Sequence, residues 1–229
     1  MPVRVTLRTK KDFSPFRVLL KKLIELQDGD SVILCSGYIQ DIIRAQSSRA
    51  YSISEDELVN YLKRGCVSGK VLTIAGKLKS YGKTKQPTWY TQYENFIRNL
   101  QSNGLRVEAW SAPNKNWHAK IAIRLKGKTP IAAIIGSSNL TRPAYGIPNS
   151  NPPISSFVNW NFEGDVLIWS DAKYNAVFKE NIEEVRGIGD MVLTLDPEVE
   201  QPDEQQQLWD IYNYVMHETE RFDPLEGHR

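Results

Sequence analysis

Apolar and polar residues alternate over PVRVTLR (2–8), the two-residue period of a strand. The period then lengthens. Phe16, Leu19, Leu20, Leu23, Ile24 and Leu26 recur at helical spacing, with Ser14 before Pro15 as N-cap and Asp28-Gly29-Asp30 as the stop. SVILCSGYI (31–39) and KVLTIAG (70–76) are short apolar runs between polar punctuation, the pattern of strands buried on both faces. Residues 41–65 carry two predicted helices, the second starting near Ser54 with Glu57 completing a capping box. WYTQYENFIRNLQSNG reads as a helix closed by Asn103-Gly104, and LRVEAW (105–110) as a strand. Trp117 to Asn139 reads as two neighbouring strands ending in a small polar turn. The stretch after it, rich in Pro, Ser and Asn, reads as loop.

NFEGDVLIWSD (161–171) is a further predicted strand, with Asn161, Glu163 and Asp165 on one face and Phe162, Val166 and Ile168 on the other. Ala172 to Arg186 reads as one amphipathic helix. A last helix in LWDIYNYVMHET is expected to dock through Leu208, Trp209, Ile211, Tyr212 and Val215. Strands alternating with helices predict an α/β fold, a sheet covered by helices on both faces. We place a single catalytic-size domain over residues 1–190 and an acidic extension with the docking helix over 191–229.

Composition adds little until it is split along the chain. The 229 residues are 41% hydrophobic and 24% charged, ordinary for a globular protein. No run of about 18 apolar residues predicts a membrane span, and the first residues lack the apolar core of a secretory signal. Cys35 and Cys66 form no CxxC pair, which points to a reducing cytoplasm. The net charge of +2 hides an asymmetry: residues 1–128 carry 23 Lys and Arg against 10 Asp and Glu, and residues 129–229 carry 6 against 17. Such a distribution fits either a polyanion on one surface or neutralisation of the two halves within the fold or across a dimer.

The most basic stretch, GKLKSYGKTKQPTWY, is not a nucleotide-binding P-loop. Five residues separate Gly76 from Gly82 where that motif has four, and Pro87 interrupts any helix after Thr84. Lys77, Lys79, Lys83 and Lys85 with Tyr81 and Trp89 instead suit a loop that follows a phosphate backbone, the plain alternative being a solvated loop.

Candidate chemistry lies in residues 117–139. His118 and Lys120 share one face of the first predicted strand, and Ser137 and Asn139 share one face at the end of the second. Paired strands would bring together an imidazole, an ammonium, a hydroxyl and a carboxamide. A lone strand histidine is usually structural, but a lysine on the same face is poorly explained by core packing. The full pattern is His118-Ala119-Lys120, then Gly136-Ser137-Ser138-Asn139, then Asn161-Phe162-Glu163.

That pattern, H-x-K with G-S-x-N and N-x-E, resembles the phospholipase D superfamily, more narrowly its small nucleases and metal-independent restriction-endonuclease domains. The resemblance implies a mixed β-sheet flanked by helices and a metal-independent phosphodiesterase without cofactor. His118 would be the nucleophile and acid, Lys120 and Asn139 the holders of phosphate oxygens, Ser137 a phosphate contact, and Glu163 the acceptor that orients His118. One departure stands out: the signature's aspartate falls at Leu125. A single motif where the family's site needs two implies a homodimer with a shared site. The basic half and the absence of a predicted anchor point to nucleic acid, DNA rather than RNA, contacted through Lys77, Lys79, Lys83, Lys85, Trp89 and Arg142. A role in restriction or defence against foreign DNA is suggested by the resemblance alone. The rivals are a silent DNA-binding or assembly subunit and a lipid phosphodiesterase.

Overall fold

A computed structural model describes residues 2–8, 13–37, 39, 53–76, 89–112, 118–140, 144, 163–180, 190–194, 204–217 and 219–221. Strands β1 (Pro2–Leu7), β2 (Ser31–Ser36), β3 (Val71–Ala75), β4 (Val107–Ser111), β5 (Lys120–Lys126), β6 (Thr129–Gly136), β7 (Gly164–Trp169), β8 (Asp190–Thr194) and β9 (Glu220–Arg221) join one sheet. Its order is β8-β1-β7-β6-β5-β2-β3-β4-β9. β2, β3 and β4 run parallel, and every other neighbouring pair is antiparallel. The helices are α1 (Pro15–Ile24), α2 (Ile53–Gly65), α3 (Trp89–Ser102), α4 (Asn175–Phe178) and α5 (Glu204–His217).

Both faces of the sheet are covered, as the buried runs of β2 and β3 require. One core packs α1, α2 and α3 residues such as Leu19, Leu62 and Phe96 on Val32, Leu34, Ala132 and Leu167. The other packs Tyr212, Val215 and Met216 of α5 with Ile33, Ile123, Ala133 and Ile168. The fold is therefore α/β, a mixed central sheet flanked by helices. Ser14 caps α1 as its sequence predicts, its Oγ accepting from Arg17 N at 3.3 Å, with Pro15 in the first turn. Gly104 closes α3 at φ 81°, a left-handed position suited to glycine.

The β5–β6 hairpin turns at Gly127 and Lys128, with Gly127 at φ 61°. Asp30, just before β2, accepts the Gly127 N–H at 2.7 Å and so ties this turn to the neighbouring strand. A bulge follows, because Arg124 pairs with Ala132 and Leu125 with Pro130. Ile131 and Ala132 both enter the first core in consequence, and Pro130 sits where a missing N–H is tolerated.

Two features differ from the sequence reading. The helix expected over 172–186 is a 3-10 turn at Ala172–Tyr174 followed by a single α-turn, α4, with residues 181–189 outside the described ones. Buried Arg4 gives a reason: its Nη1 donates to the carbonyls of Phe178 at 2.8 Å and Glu180 at 2.9 Å, which a continuing helix would use itself. The second feature is the sheet's reach. β8 pairs with β1 at one edge and β9 with Trp110 and Ser111 of β4 at the other, although neither short run stands out by periodicity. The helix expected between residues 41 and 53 lies outside the described residues.

Candidate active site

β2 and β6 finish, and β5 and β7 begin, at one end of the sheet. The register sets Lys120 opposite Gly136, and Gly136 opposite Asp165, so three adjacent strands present one row on one face. Lys120 is buried, 7% exposed, and its Nζ lies 2.7 Å from Nδ1 of the exposed His118. An ammonium can only donate, so Nδ1 accepts and the neutral ring carries its proton on Nε2. The predicted shared face of His118 and Lys120 thus becomes a direct contact.

Ser137, exposed, donates its hydroxyl to Oε2 of buried Glu163 and accepts the Gly164 N–H at 3.0 Å. Its own N–H bonds Gly164 O at 3.0 Å, so the turn after β6 is laced to the start of β7. Glu163 is held on the other side of its peptide by Arg8 N, which donates to Glu163 O at 2.8 Å. Asn139 faces β2 instead, with Oδ1 3.2 Å from Ser36 Oγ. The five predicted site residues therefore come to one sheet end. They do so in two contacting pairs, His118 with Lys120 and Ser137 with Glu163, plus Asn139 on Ser36.

The sequence reading gave no role to three residues that hold this turn together. Asp165 accepts from Ser138 Oγ at 2.7 Å and from Ser138 N at 3.3 Å. Gly136 makes that possible, since a Cβ there would fall 2.0 Å from Asp165 Oδ1. Ser36 is the third. A signal for Asp165 was present, because it shares the face of Glu163 two residues away.

Burial pushes the Asp165 carboxyl up from 3.8 to about 6; the Ser138 bonds oppose this and the Glu163 charge adds to it. The sign follows from linkage. The proton is bound more tightly in the folded state, so the stabilisation is complete below about pH 4 and is lost as pH rises through about 6. In Asp165→Asn that loss is absent. Its stability relative to wild type should rise between pH 4 and pH 8 by about 2–3 kcal/mol. Thermal melts across that range check this, and a pH-independent difference would contradict it.

The basic-stretch candidates Lys77, Lys79, Lys83 and Lys85, together with Arg142, lie outside the described residues, and Trp89 opens α3. The described residues that border them do lie at the site end. Gly76 N donates to Ser36 O at 3.0 Å, and Leu140 N to Ser36 Oγ at 3.1 Å. A cleft of about 600 Å³ at the opposite end, around Asp30, Lys70, Arg106 and Glu108, has its charges engaged, Lys70 with Glu108 at 2.6 Å and Arg106 Nε with Gly69 O at 3.0 Å. Among the described residues no three His, Cys, Asp or Glu side chains group to hold a metal, and no helix is long and apolar enough to cross a membrane.

No family model matches the sequence, and no curated protein matches it. Among solved structures the chain is similar to NucT from Helicobacter pylori, with a TM-score of 0.45 and 11% identity over 96% of this chain and 99% of that one. It is similar to a phosphatidylserine synthase from Haemophilus influenzae Rd KW20, with a TM-score of 0.43 and 13% identity over 94% of this chain and 46% of that one. A polyphosphate kinase from Porphyromonas gingivalis gives a TM-score of 0.41 and 13% identity over 94% of this chain and 32% of that one.

Proposed function

We propose that this chain is a metal-independent phosphodiesterase acting on nucleic acid, DNA rather than RNA, at a site shared by two copies. The reading rests on the motif residues and not on the likenesses above. The observation that carries it is the 2.7 Å contact between Lys120 Nζ and His118 Nδ1, at a sheet end that also bears Ser137, Asn139 and Glu163. An exposed imidazole gripped by a buried lysine has little to offer a core and much to offer a phosphate.

The contact describes the resting neutral ring of His118, with its proton on Nε2. In the nucleophilic copy Lys120 turns to the non-bridging phosphate oxygens, and the ring proton sits on Nδ1. Glu163, which has lone pairs to spare beyond the Ser137 bond, accepts it. The free Nε2 then attacks phosphorus. A P–N bond forms as the bond to the leaving oxygen breaks, and that oxygen takes the Nε2 proton of His118 of the partner subunit, which acts as an imidazolium with its Nδ1–H on the Glu163 of its own copy and is left as the neutral ring. Water next attacks phosphorus, gives its proton to the partner subunit's His118, and the P–N bond breaks, so both rings return to their starting forms. Lys120 and Asn139 from both copies hold the charge that builds on the phosphate.

Nucleic acid is favoured as substrate by the basic excess of residues 1–128 and by Gly76, the last described residue before the lysine-rich stretch, lying at the site end. Restriction or defence against foreign DNA is the role we attach to it, from the motif resemblance. The test is cleavage of supercoiled plasmid and single-stranded oligonucleotides in excess EDTA. Cleavage should persist, and weaken steeply as salt is raised. Complete loss in EDTA would sink the mechanism. Headgroup release from phospholipid vesicles without cleavage of either nucleic acid would move the substrate to lipid.

A further inference from the structure

Asn139 is useful to a phosphate only if its amide presents N–H groups, since its carbonyl oxygen would repel the anion. Ser36 decides which way the amide points. Its side chain ends β2, is fully buried, and donates its hydroxyl to Asn139 Oδ1 at 3.2 Å. Ser36 Oγ in turn accepts Leu140 N–H at 3.1 Å, so one hydroxyl holds both the side chain of Asn139 and the backbone just beyond it. Ser36 is itself fixed, because its carbonyl takes the Gly76 N–H at 3.0 Å across the parallel β2–β3 pair. The isolated bridge between Ile39 and Leu140 adds a second tie between the two segments. On the opposite flank Asp165 grips Ser138. The turn that carries Ser137 and Asn139 is thus braced from β7 on one side and from β2 on the other.

We infer that Ser36 is a positioning residue for the phosphodiesterase reaction: it occupies Asn139 Oδ1 and so commits Asn139 Nδ2 to donating to the phosphate. The inference rests on the function proposed above. A donor held in place acts without reorganisation, and a donor free to flip spends part of its time presenting the wrong atom. Ser36→Ala should therefore lower kcat by about 10- to 30-fold with KM changed much less. Its action runs through Asn139, so in an Asn139→Ala background the same change should cost less than about twofold.

Two experiments test this. The first is the double-mutant cycle of Ser36→Ala and Asn139→Ala, read as kcat on plasmid in EDTA. Strong non-additivity supports the inference, and independent losses at the two sites overturn it, because a general structural role for Ser36 would not vanish with Asn139. The second needs no activity. In wild-type protein labelled with 15N at asparagine, the Asn139 side-chain amide should give two distinct proton resonances without strong through-space contact to the Ser36 β-protons. Strong contacts from both amide protons to Ser36 would show the amide reversed and overturn the inference, whatever the enzyme does. Wild-type protein inactive on every phosphodiester substrate would overturn the proposed function itself, and the role assigned to Ser36 in catalysis with it.

Discussion

Replacing His118 by alanine is expected, on the proposed mechanism, to lower phosphodiester cleavage by roughly 10⁴-fold or more, because one substitution would remove the nucleophile from one copy and the acid from the other. The protein should stay folded. His118 is exposed, so its loss forfeits little packing and costs chiefly the contact with buried Lys120, about 1–3 kcal/mol. A cooperative melt within that range alongside lost cleavage therefore assigns the loss to chemistry. The alternative reading, a silent subunit that only binds DNA, expects no cleavage from either protein and equal DNA affinity for both. Mixing the two chains separates a shared site from two private ones. When equal amounts are allowed to exchange subunits, a shared site leaves wild-type pairs as the only active species, and activity per wild-type chain falls to about half. If each copy cleaved alone, mixed pairs would keep one working site and the activity would not change.

How far such a site can be seen in a sequence depends on the range of the interactions that build it. The strand period put His118 beside Lys120 and Glu163 beside Asp165, since both relations are local and fixed by alternation. The helix α1 was equally legible, because Ser14, Pro15 and the spacing from Phe16 to Ile24 all lie within one short segment. What alternation cannot reveal is which strand lies next to which. Ser36 reaches Asn139 across 103 residues of chain, and Asp30 secures Gly127 across 97, through neighbours that only the sheet order defines. Leu125 makes the same point. At the place where the resembled signature has an aspartate, it is 3% exposed and packed in the second core, while the carboxylate that ties down the hairpin is supplied by Asp30 from outside the motif. The short helix after β7 was overread for a related reason. Its pattern is amphipathic to Arg186, but a buried arginine from β1 takes the carbonyls at Phe178 and Glu180.

Arg124 should be the most costly residue to lose outside the site. It is 1% exposed, and the two N–H groups of its Nη2 are shared among three carbonyls: Leu26 at 2.9 Å, Gly29 at 2.5 Å and Gly65 at 2.8 Å. Leu26 and Gly29 follow the end of α1, and Gly65 is the last residue of α2, so one guanidinium serves the negative ends of two helices. Nη1 contacts Cys66 Sγ at 3.6 Å. The fit is close on every side, since a Cβ on Gly29 would stand 2.1 Å from Arg124 Nε. Leucine at this position would fill part of the space and leave the three carbonyls without their donor. We expect Arg124→Leu to lose about 3–5 kcal/mol, which for a chain of this size lowers Tm by about 10 °C. Lysine should recover only part of this, because a single ammonium cannot match the planar fork. Urea unfolding of the two variants measures both effects, and a leucine variant within 1 kcal/mol of wild type, a shift of about 2–4 °C, would contradict the assignment. Activity per folded molecule should survive in either variant. Lys120, which begins β5, contacts His118 at the site end, and Arg124, toward the other end of the strand, serves the helix termini. On the proposed function the same strand face carries chemistry at one end and anchorage at the other, and the two substitutions should separate them: alanine at His118 should abolish activity in a protein that stays folded, and leucine at Arg124 should lower stability while activity per folded molecule survives.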